Sequence, residues 1–192
     1  LRRSAMPGAM PHSPTASLPA IAGAGVTAVG ALLWGKLVLR LEGEARRRAE
    51  EALHIAIPER PLTSTEAQIG VCLWLGPDER MLVTAVDTAG EVAQSLGAAL
   101  AGTQHAVVGV SHRPLAFRLA GPKVRDALAA GCPLDLHPST FPPGAVARTL
   151  LGKVAMTLHL RRDGGTFDLY VDRSFADYAW RHLELAAREL NG

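Results

Sequence analysis

Hydrophobic and polar residues alternate in two parts of the chain, and this period-two pattern predicts two β-hairpins. The first hairpin comprises residues 71–75 and 80–86, which flank the turn sequence GPDE. The second comprises residues 153–160 and 167–171, joined by a turn at Asp163-Gly164-Gly165. In the first strand of this second hairpin, the apolar face carries Val154, Met156, Leu158 and Leu160, and the opposite face carries Ala155, Thr157 and His159.

Each hairpin leads into a segment with helical spacing of apolar residues. The first helix is predicted to open at Thr88-Ala89-Gly90-Glu91, which has the spacing of a capping box. The second is predicted to open at Ser174 and to continue to Leu190 with apolar residues three and four positions apart. Two hairpin–helix units therefore follow one another along the chain.

The chain also repeats itself upstream of each hairpin. Residues 37–47 and 115–125 match at an offset of 78, and both read as a strand, a glycine break and an amphipathic helix. The matching positions are Leu37 and Leu115, Arg40 and Arg118, Leu41 and Leu119, Gly43 and Gly121, and Arg47 and Arg125. The pattern predicts an α+β fold of duplicated βαββα halves, about 36–102 and 105–190, with an extra strand at about 105–111. We expect the halves to share one interleaved, largely antiparallel sheet and core.

The remaining N-terminal residues predict no second domain and no membrane span. We expect a disordered tail at 1–19 and an irregular, apolar, glycine-rich lead-in at 20–35, within a single duplicated domain at 20–192. The apolar run has 16 residues, fewer than the roughly 20 that cross a bilayer. With 48% hydrophobic and 20% charged residues, a net charge of +2 and two cysteines, we expect a folded cytoplasmic protein with reduced thiols that binds no nucleic acid.

The segment GCPLDLHPSTFPPG at 131–144 contains a thiol, a carboxylate and an imidazole within six positions. Cys132, Asp135 and His137 could ligate a metal, although no CxxC, HxxxH or HExxH motif accompanies them. Cys132 could be a nucleophile with His137 as its base, although proximity in sequence does not establish proximity in space. The third interpretation, a structural loop, has Gly131 ending a helix and Asp135 forming an Asx-turn, stiffened by prolines. This third interpretation is favoured, and no glycine-rich phosphate loop occurs elsewhere.

Two longer segments of the sequence resemble a known family. GCPLDLHPSTFPPGAVARTLL at 131–151 and FDLYVDRSFADYAWRHLELAARE at 167–189 closely resemble the gamma subunit of heterotetrameric sarcosine oxidase. The similarity extends more loosely over about 37–190. That family in turn resembles the folate-binding domain of aminomethyltransferases. In that domain a Gly-Pro motif between a strand and a helix is similar to residues 119–123. The resemblance therefore implies an aminomethyltransferase folate-domain-like fold.

The resemblance also implies a function in sarcosine catabolism and one-carbon metabolism. The family's enzyme oxidatively demethylates sarcosine to glycine, with peroxide and formaldehyde or methylene-tetrahydrofolate as the other products. Its FAD, FMN and NAD, and the site for tetrahydrofolate, lie on the alpha and beta subunits. This chain is then expected to carry no cofactor, metal or catalytic residue and to stabilise an assembly with alpha, beta and delta subunits. The alternative is a free-standing folate or small-molecule binding protein of aminomethyltransferase type.

The same resemblance marks residues expected to form a structural or interface motif. They are Gly131, Cys132, Pro133, Asp135, His137, Pro138, Pro142, Pro143, Arg173 and Phe175. The chain departs from the family pattern at Arg80, where tryptophan is usual, at Asp172, where arginine is usual, and at Ser139, where a basic residue is common. We expect the change at Arg80 to remove an aromatic anchor from a hairpin surface.

Overall fold

The computed structural model describes residues 20–191, and the predicted tail at 1–19 lies outside them. Short 3-10 turns at Val86–Thr88 and Arg173–Phe175 precede the second and fourth helices. The helices are α1 (Gly43–Leu53), α2 (Ala89–Ala99), α3 (Val124–Ala129) and α4 (Ala176–Asn191). The strands are β1 (Thr27–Leu32), β2 (Trp34–Leu41), β3 (Ser64–Ala67), β4 (Gly70–Trp74), β5 (Arg80–Ala85), β6 (His105–Gly109), β7 (Pro114–Ala120), β8 (Val146–Leu151), β9 (Val154–Leu160) and β10 (Thr166–Asp172).

The strands form two antiparallel sheets. The first sheet has the order β6-β2-β5-β4-β3 and the second has the order β1-β7-β10-β9-β8. Strands that correspond in the two halves occupy the same positions in their sheets. The exception is the edge strand beside β2 or β7, which each sheet takes from the segment that precedes the other half. β1 precedes the first half but pairs with β7, and β6 precedes the second half but pairs with β2. The α+β class with duplicated halves and an antiparallel core is confirmed, whereas the expectation of one shared sheet is wrong.

Three cores explain why the strands divide into two sheets. Helices α1 and α2 pack on the first sheet through residues such as Ala49, Leu82 and Leu96. Helices α3 and α4 pack on the second sheet through residues such as Phe117 and Trp180. The inner faces of the two sheets meet at a third cluster, whose buried members are Leu73, Leu75, Met81, Val83, Ala116, Val146 and Tyr170. Stacking the sheets buries both faces of the central strands.

Several local predictions change in the structure. The lead-in at 20–35 is not irregular, because it contains β1 and the start of β2. Each half has one strand more than the predicted βαββα, since β3 and β8 extend the hairpins. The predicted capping box at Thr88 does not form: its hydroxyl donates to the Ala85 carbonyl at 3.0 Å, because Thr88 already lies in a 3-10 turn. Among the helices of residues 20–191, none could span a membrane.

Candidate functional site

The loop 131–144 connects α3 to β8, and its backbone is held as the structural interpretation predicts. The N–H groups of Gly131 and Cys132 donate to the Leu128 carbonyl at 3.0 and 2.8 Å, which ends the helix. The His137 N–H donates to Asp135 Oδ1 at 2.9 Å, so the predicted Asx-turn is confirmed. This backbone hydrogen bond lowers the pKa of the exposed Asp135 carboxyl.

The structure does not bring the thiol and the imidazole of this loop together. Cys132 is buried, and its Sγ lies 3.7 Å from Thr149 Oγ1. His137 is exposed, and its Nδ1 lies 2.7 Å from the Ser139 hydroxyl. Within residues 20–191, no three His, Cys, Asp or Glu side chains are placed to hold a metal ion. The arrangement therefore supports neither the metal site nor the thiol–imidazole pair.

Arg125 on α3 holds the loop in place through its side chain. Its guanidinium donates to the carbonyls of Leu136 and Phe141 and lies 5.2 Å from the ring centroid of Phe167. Phe141 is buried and stacks on Phe167 with a centroid separation of 6.3 Å. The loop is thus fixed at both ends and in its middle, while its four prolines, Pro133, Pro138, Pro142 and Pro143, are exposed.

One flank of α4 lies beside this loop. Phe175, Tyr178 and Leu185 are 50%, 42% and 61% exposed. With His182 they follow one another at intervals of three, four and three residues, so they share a helix flank. An added Cβ at Gly131 would clash with His182 Nε2, which shows how closely the loop approaches this flank. We call the loop 131–144 together with Phe175, Tyr178, His182 and Leu185 the loop–helix surface.

Arg173 and Phe175 occupy the 3-10 turn that leads into α4. The Arg173 N–H donates to the Arg113 carbonyl at 3.1 Å, which ties this turn to the start of β7. This turn leads into α4, whose His182 lies beside Gly131 of the loop.

A second candidate site, which the sequence patterns did not reveal, is a cleft of about 740 Å³ between the two sheets. Arg118 and Asp168 form a bidentate ion pair in it, with Nε–Oδ1 at 2.7 Å and Nη2–Oδ2 at 3.0 Å. Arg161 Nη1 reaches the same carboxylate at 3.4 Å. The Arg118 guanidinium also lies 4.9 Å from the ring centroid of Trp34.

The polar groups of the cleft are only partly used. The hydrogen bonds to Asp168 raise the pKa of Arg118. The Nη1 group of Arg118 and the Nη2 group of Arg161 have no acceptor among the described residues. Glu66 Oε1 is buried, and no residue within 20–191 donates to it. Burial also raises the pKa of Tyr170 well above its usual value, so its phenol stays neutral beside these charges.

Ser64 and His159 are paired nearby, but the pair is not arranged as a nucleophile and its base. The Ser64 hydroxyl donates to the Gly144 carbonyl at 2.8 Å, so at 3.0 Å from His159 Nε2 it acts as the acceptor. The other ring nitrogen, Nδ1, has no partner among the described residues. Burial lowers the pKa of His159 to about 4. The ring is therefore a neutral Nε2–H tautomer that cannot take the serine proton.

His159 is buried on the face of β9 opposite the apolar stripe. It is fully buried because this part of the face lies between the two sheets, beside Val146 and Tyr170. A single strand cannot reveal this, since alternation shows which residues share a face but not what covers that face.

Two further cations are buried. Arg80 is 9% exposed, and its guanidinium donates to the carbonyls of Pro58, Gly76 and Pro77, so this position is not the predicted surface anchor. Burial lowers the pKa of Arg80. Lys36 is 1% exposed, and its Nζ donates to the Trp34 carbonyl at 3.0 Å. Burial lowers the pKa of this amine to about 8.

Comparison with known proteins identifies relatives over most of the chain. A family model described as the sarcosine oxidase gamma subunit family matches residues 42–189. Sarcosine oxidase subunit gamma from an Arthrobacter species is 30% identical over 156 residues, which are 77% of this chain and 75% of that protein.

Solved structures agree with these matches. A chain of heterotetrameric sarcosine oxidase from Corynebacterium sp. U-96, in complex with pyrrole 2-carboxylate, superposes with a TM-score of 0.86 and 25% identity, covering 95% of this chain and 97% of that one. Aminomethyltransferase T of the glycine cleavage system from Bartonella henselae superposes with a TM-score of 0.63 and 14% identity, covering 86% of this chain and 50% of that one. The second likeness concerns the fold alone.

Proposed function

The chain belongs to the sarcosine oxidase gamma subunit family, and from this premise we propose that it is the non-catalytic gamma subunit of its complex. The observation that carries this proposal is the match to nearly the whole length of one chain of a heterotetrameric enzyme. The chain is thus a subunit of a sarcosine oxidase complex, and its own role is to support the assembly.

The side chains of the candidate sites favour a role in assembly over a catalytic role. Cys132 has a threonine hydroxyl beside it instead of a base, and the Ser64–His159 pair has the wrong direction of hydrogen bonding for nucleophile activation. In this proposal, FAD, FMN and NAD are carried by the alpha and beta subunits, and tetrahydrofolate is used there. The complex converts sarcosine to glycine with peroxide and formaldehyde or methylene-tetrahydrofolate.

The loop–helix surface is the part of the chain that we assign to a partner subunit. It combines a loop held rigid by Arg125 with two exposed aromatic side chains, Phe175 in the 3-10 turn before α4 and Tyr178 on α4. Rigid aromatic groups lose little conformational freedom on binding, and aromatic residues are enriched among those that dominate interface energies. Alpha, beta and delta subunits are the partners in this proposal, which needs no cofactor on this chain.

Co-expression tests the proposal directly. The alpha, beta and delta subunits would be produced with and without this chain, and the yield of assembled complex and its sarcosine-dependent oxygen uptake would be measured. We expect the assembly to be lost or unstable without the chain, and Cys132→Ala to leave the activity of the full complex unchanged. A stable complex of equal activity that lacks the chain would show that the assembly role is wrong.

A further inference from the structure

The cleft between the sheets has features of a ligand site that the assembly role does not use. We propose that it binds a small zwitterion, namely an α-amino acid with an apolar side chain. The carboxylate would be held by Arg118 and Arg161, the ammonium group by Glu66, and the side chain by the apolar wall beside Trp34 and Tyr170. This inference is independent of the proposed assembly role.

The cationic end of the cleft has hydrogen-bond donors to spare. Two guanidinium groups share the single carboxylate of Asp168, which is 1% exposed. A guanidinium has five N–H donors; Arg118 directs two of them at Asp168, and Arg161 directs one. An oxyanion in the cleft would accept hydrogen bonds from the remaining donors. A carboxylate fits the planar, forked geometry of these groups.

The acidic group of the cleft is complementary. Glu66 on β3 lines the cleft together with the exposed Asp87 and Glu91, and of these carboxylates Glu66 has an oxygen, Oε1, that is shielded from solvent without a donor among the described residues. A buried carboxylate oxygen without a hydrogen bond is unfavourable, by about 1–3 kcal/mol or more for charged groups. An ammonium group supplies up to three donors and the opposite charge. A ligand that carries both a carboxylate and an ammonium therefore satisfies both ends of the cleft.

The walls between these ends are apolar. The rings of Trp34 and Tyr170 lie 6.1 Å apart, and Ile69, Val71 and Val83 are among the other lining residues. The volume of about 740 Å³ lies within the range of small-molecule sites, about 300–1,000 Å³. Such a wall would hold an aliphatic or aromatic side chain and leaves room beyond that of glycine.

The repeat provides an internal comparison. A second cleft, of about 330 Å³, is lined by segments related to the first by the duplication, and there Glu79 accepts hydrogen bonds from both Arg40 and Arg148. Arg40 is the repeat counterpart of Arg118. In the smaller cleft, which Asp172 also lines, both carboxylate oxygens of Glu79 are therefore hydrogen-bonded. The fold itself does not require the larger volume or the unpartnered Glu66 oxygen.

Matched probes test the proposal by calorimetric titration of the full chain and of the co-purified complex. L-Leucine carries both charges, 4-methylpentanoate lacks the ammonium group, and 3-methylbutylamine lacks the carboxylate. We expect L-leucine to bind at least about tenfold more tightly than either half-ligand, since each charged hydrogen-bonding contact contributes a factor of about that size.

Single variants test which residue binds each charged group of the ligand. Arg161→Gln should reduce the preference for L-leucine over 3-methylbutylamine, because one of the two guanidinium groups is lost, and Glu66→Gln should remove the preference for L-leucine over 4-methylpentanoate. Arg162→Gln and Glu51→Gln, which change exposed residues outside the cleft lining, should leave all three affinities unchanged. If the wild-type chain and complex bind L-leucine no more tightly than the half-ligands, or bind none of the three, the proposal is overturned, whether or not the variants fold.

Discussion

Arg118 and Asp168 face each other directly across β7 and β10 and are joined by two hydrogen bonds, of 2.7 and 3.0 Å. Their register places both side chains between the two sheets, where Arg161 approaches the same carboxylate. The pair connects two strands whose sequence positions lie 50 residues apart. A buried charge in this position is tolerated because both of its oxygens are hydrogen-bonded to cations.

Replacing Asp168 with asparagine should destabilise the fold, because two guanidinium groups would then lie close together without a carboxylate. Removing one partner of a buried pair usually lowers the free energy of unfolding by about 3–5 kcal/mol. The two arginine side chains here remain 32% and 30% exposed, so we expect a smaller loss, about 2–3 kcal/mol. Urea denaturation would measure it. Asp172→Asn, at the exposed end of the same strand, should change stability by less than about 0.5 kcal/mol; equal losses would contradict the prediction.

His159 should make the stability of the chain depend on pH in the acidic range. Its pKa is about 4 in the folded chain and 6.5 when unperturbed. Between these values the unfolded chain binds a proton that the folded chain excludes. The stabilisation is therefore complete above pH 6.5, is lost as the pH falls toward 4, and is constant below that. At about 1.4 kcal/mol per pH unit, the loss is about 3 kcal/mol.

His159→Gln tests this dependence, since glutamine can still donate to Ser64 but does not titrate. We expect the unfolding free energy of the variant, measured from pH 4 to 7, to lack this part of the slope, whereas His112→Gln at an exposed position should keep it. Parallel curves for the wild type and His159→Gln would show that the buried imidazole is not the source.

The elements that the sequence predicts well are those with a strong periodic pattern. Helices α2 and α4 each bury one apolar stripe, and the strands of hairpins β4–β5 and β9–β10 are short apolar or alternating runs on either side of clear turns, so these signals are visible locally. β3 has four residues, two of them Ser64 and Glu66, and shows no such stripe. β1 is obscured by glycine, yet Gly30 lies under the Trp180 ring, where an added Cβ would be 3.1 Å from Cζ3. Only the packed structure shows why glycine occurs in this strand.

The two candidate sites also differ in how far local sequence predicts them. The loop 131–144 is predictable because its turn, helix end and Asx hydrogen bond join residues that are close in sequence. The cleft depends on Glu66, Arg118 and Asp168, which come together only when the two sheets stack. Arg80 illustrates the limit of motif comparison: the sequence indicated a surface site, but the Arg80 guanidinium donates to four backbone carbonyls.

The repeat-related glycines Gly121 and Gly43 should respond differently to substitution by alanine. Gly121 has φ +129°, and a Cβ there would clash with the Gly25 carbonyl, whose carbon would lie 3.0 Å away. Gly43 has φ +49° with no atom within 4 Å of an added Cβ. We expect Gly121→Ala to lower the free energy of unfolding by about 3 kcal/mol or more, and Gly43→Ala by about 1 kcal/mol. Thermal and urea unfolding would compare them, and similar losses would contradict the expectation.

Phe175 should be needed for binding to partner subunits but not for folding. Its side chain is 50% exposed on the loop–helix surface, whereas the buried face of α4 uses other residues, including Trp180 and Leu183. Phe175→Ser should therefore change the stability of the isolated chain by less than about 1 kcal/mol and reduce the co-purified partner subunits about tenfold or more. Val108→Ser is a matched control, because Val108 is 52% exposed on the edge strand β6, in the other sheet. If both variants retain the partners equally well, the loop–helix surface is not the binding face.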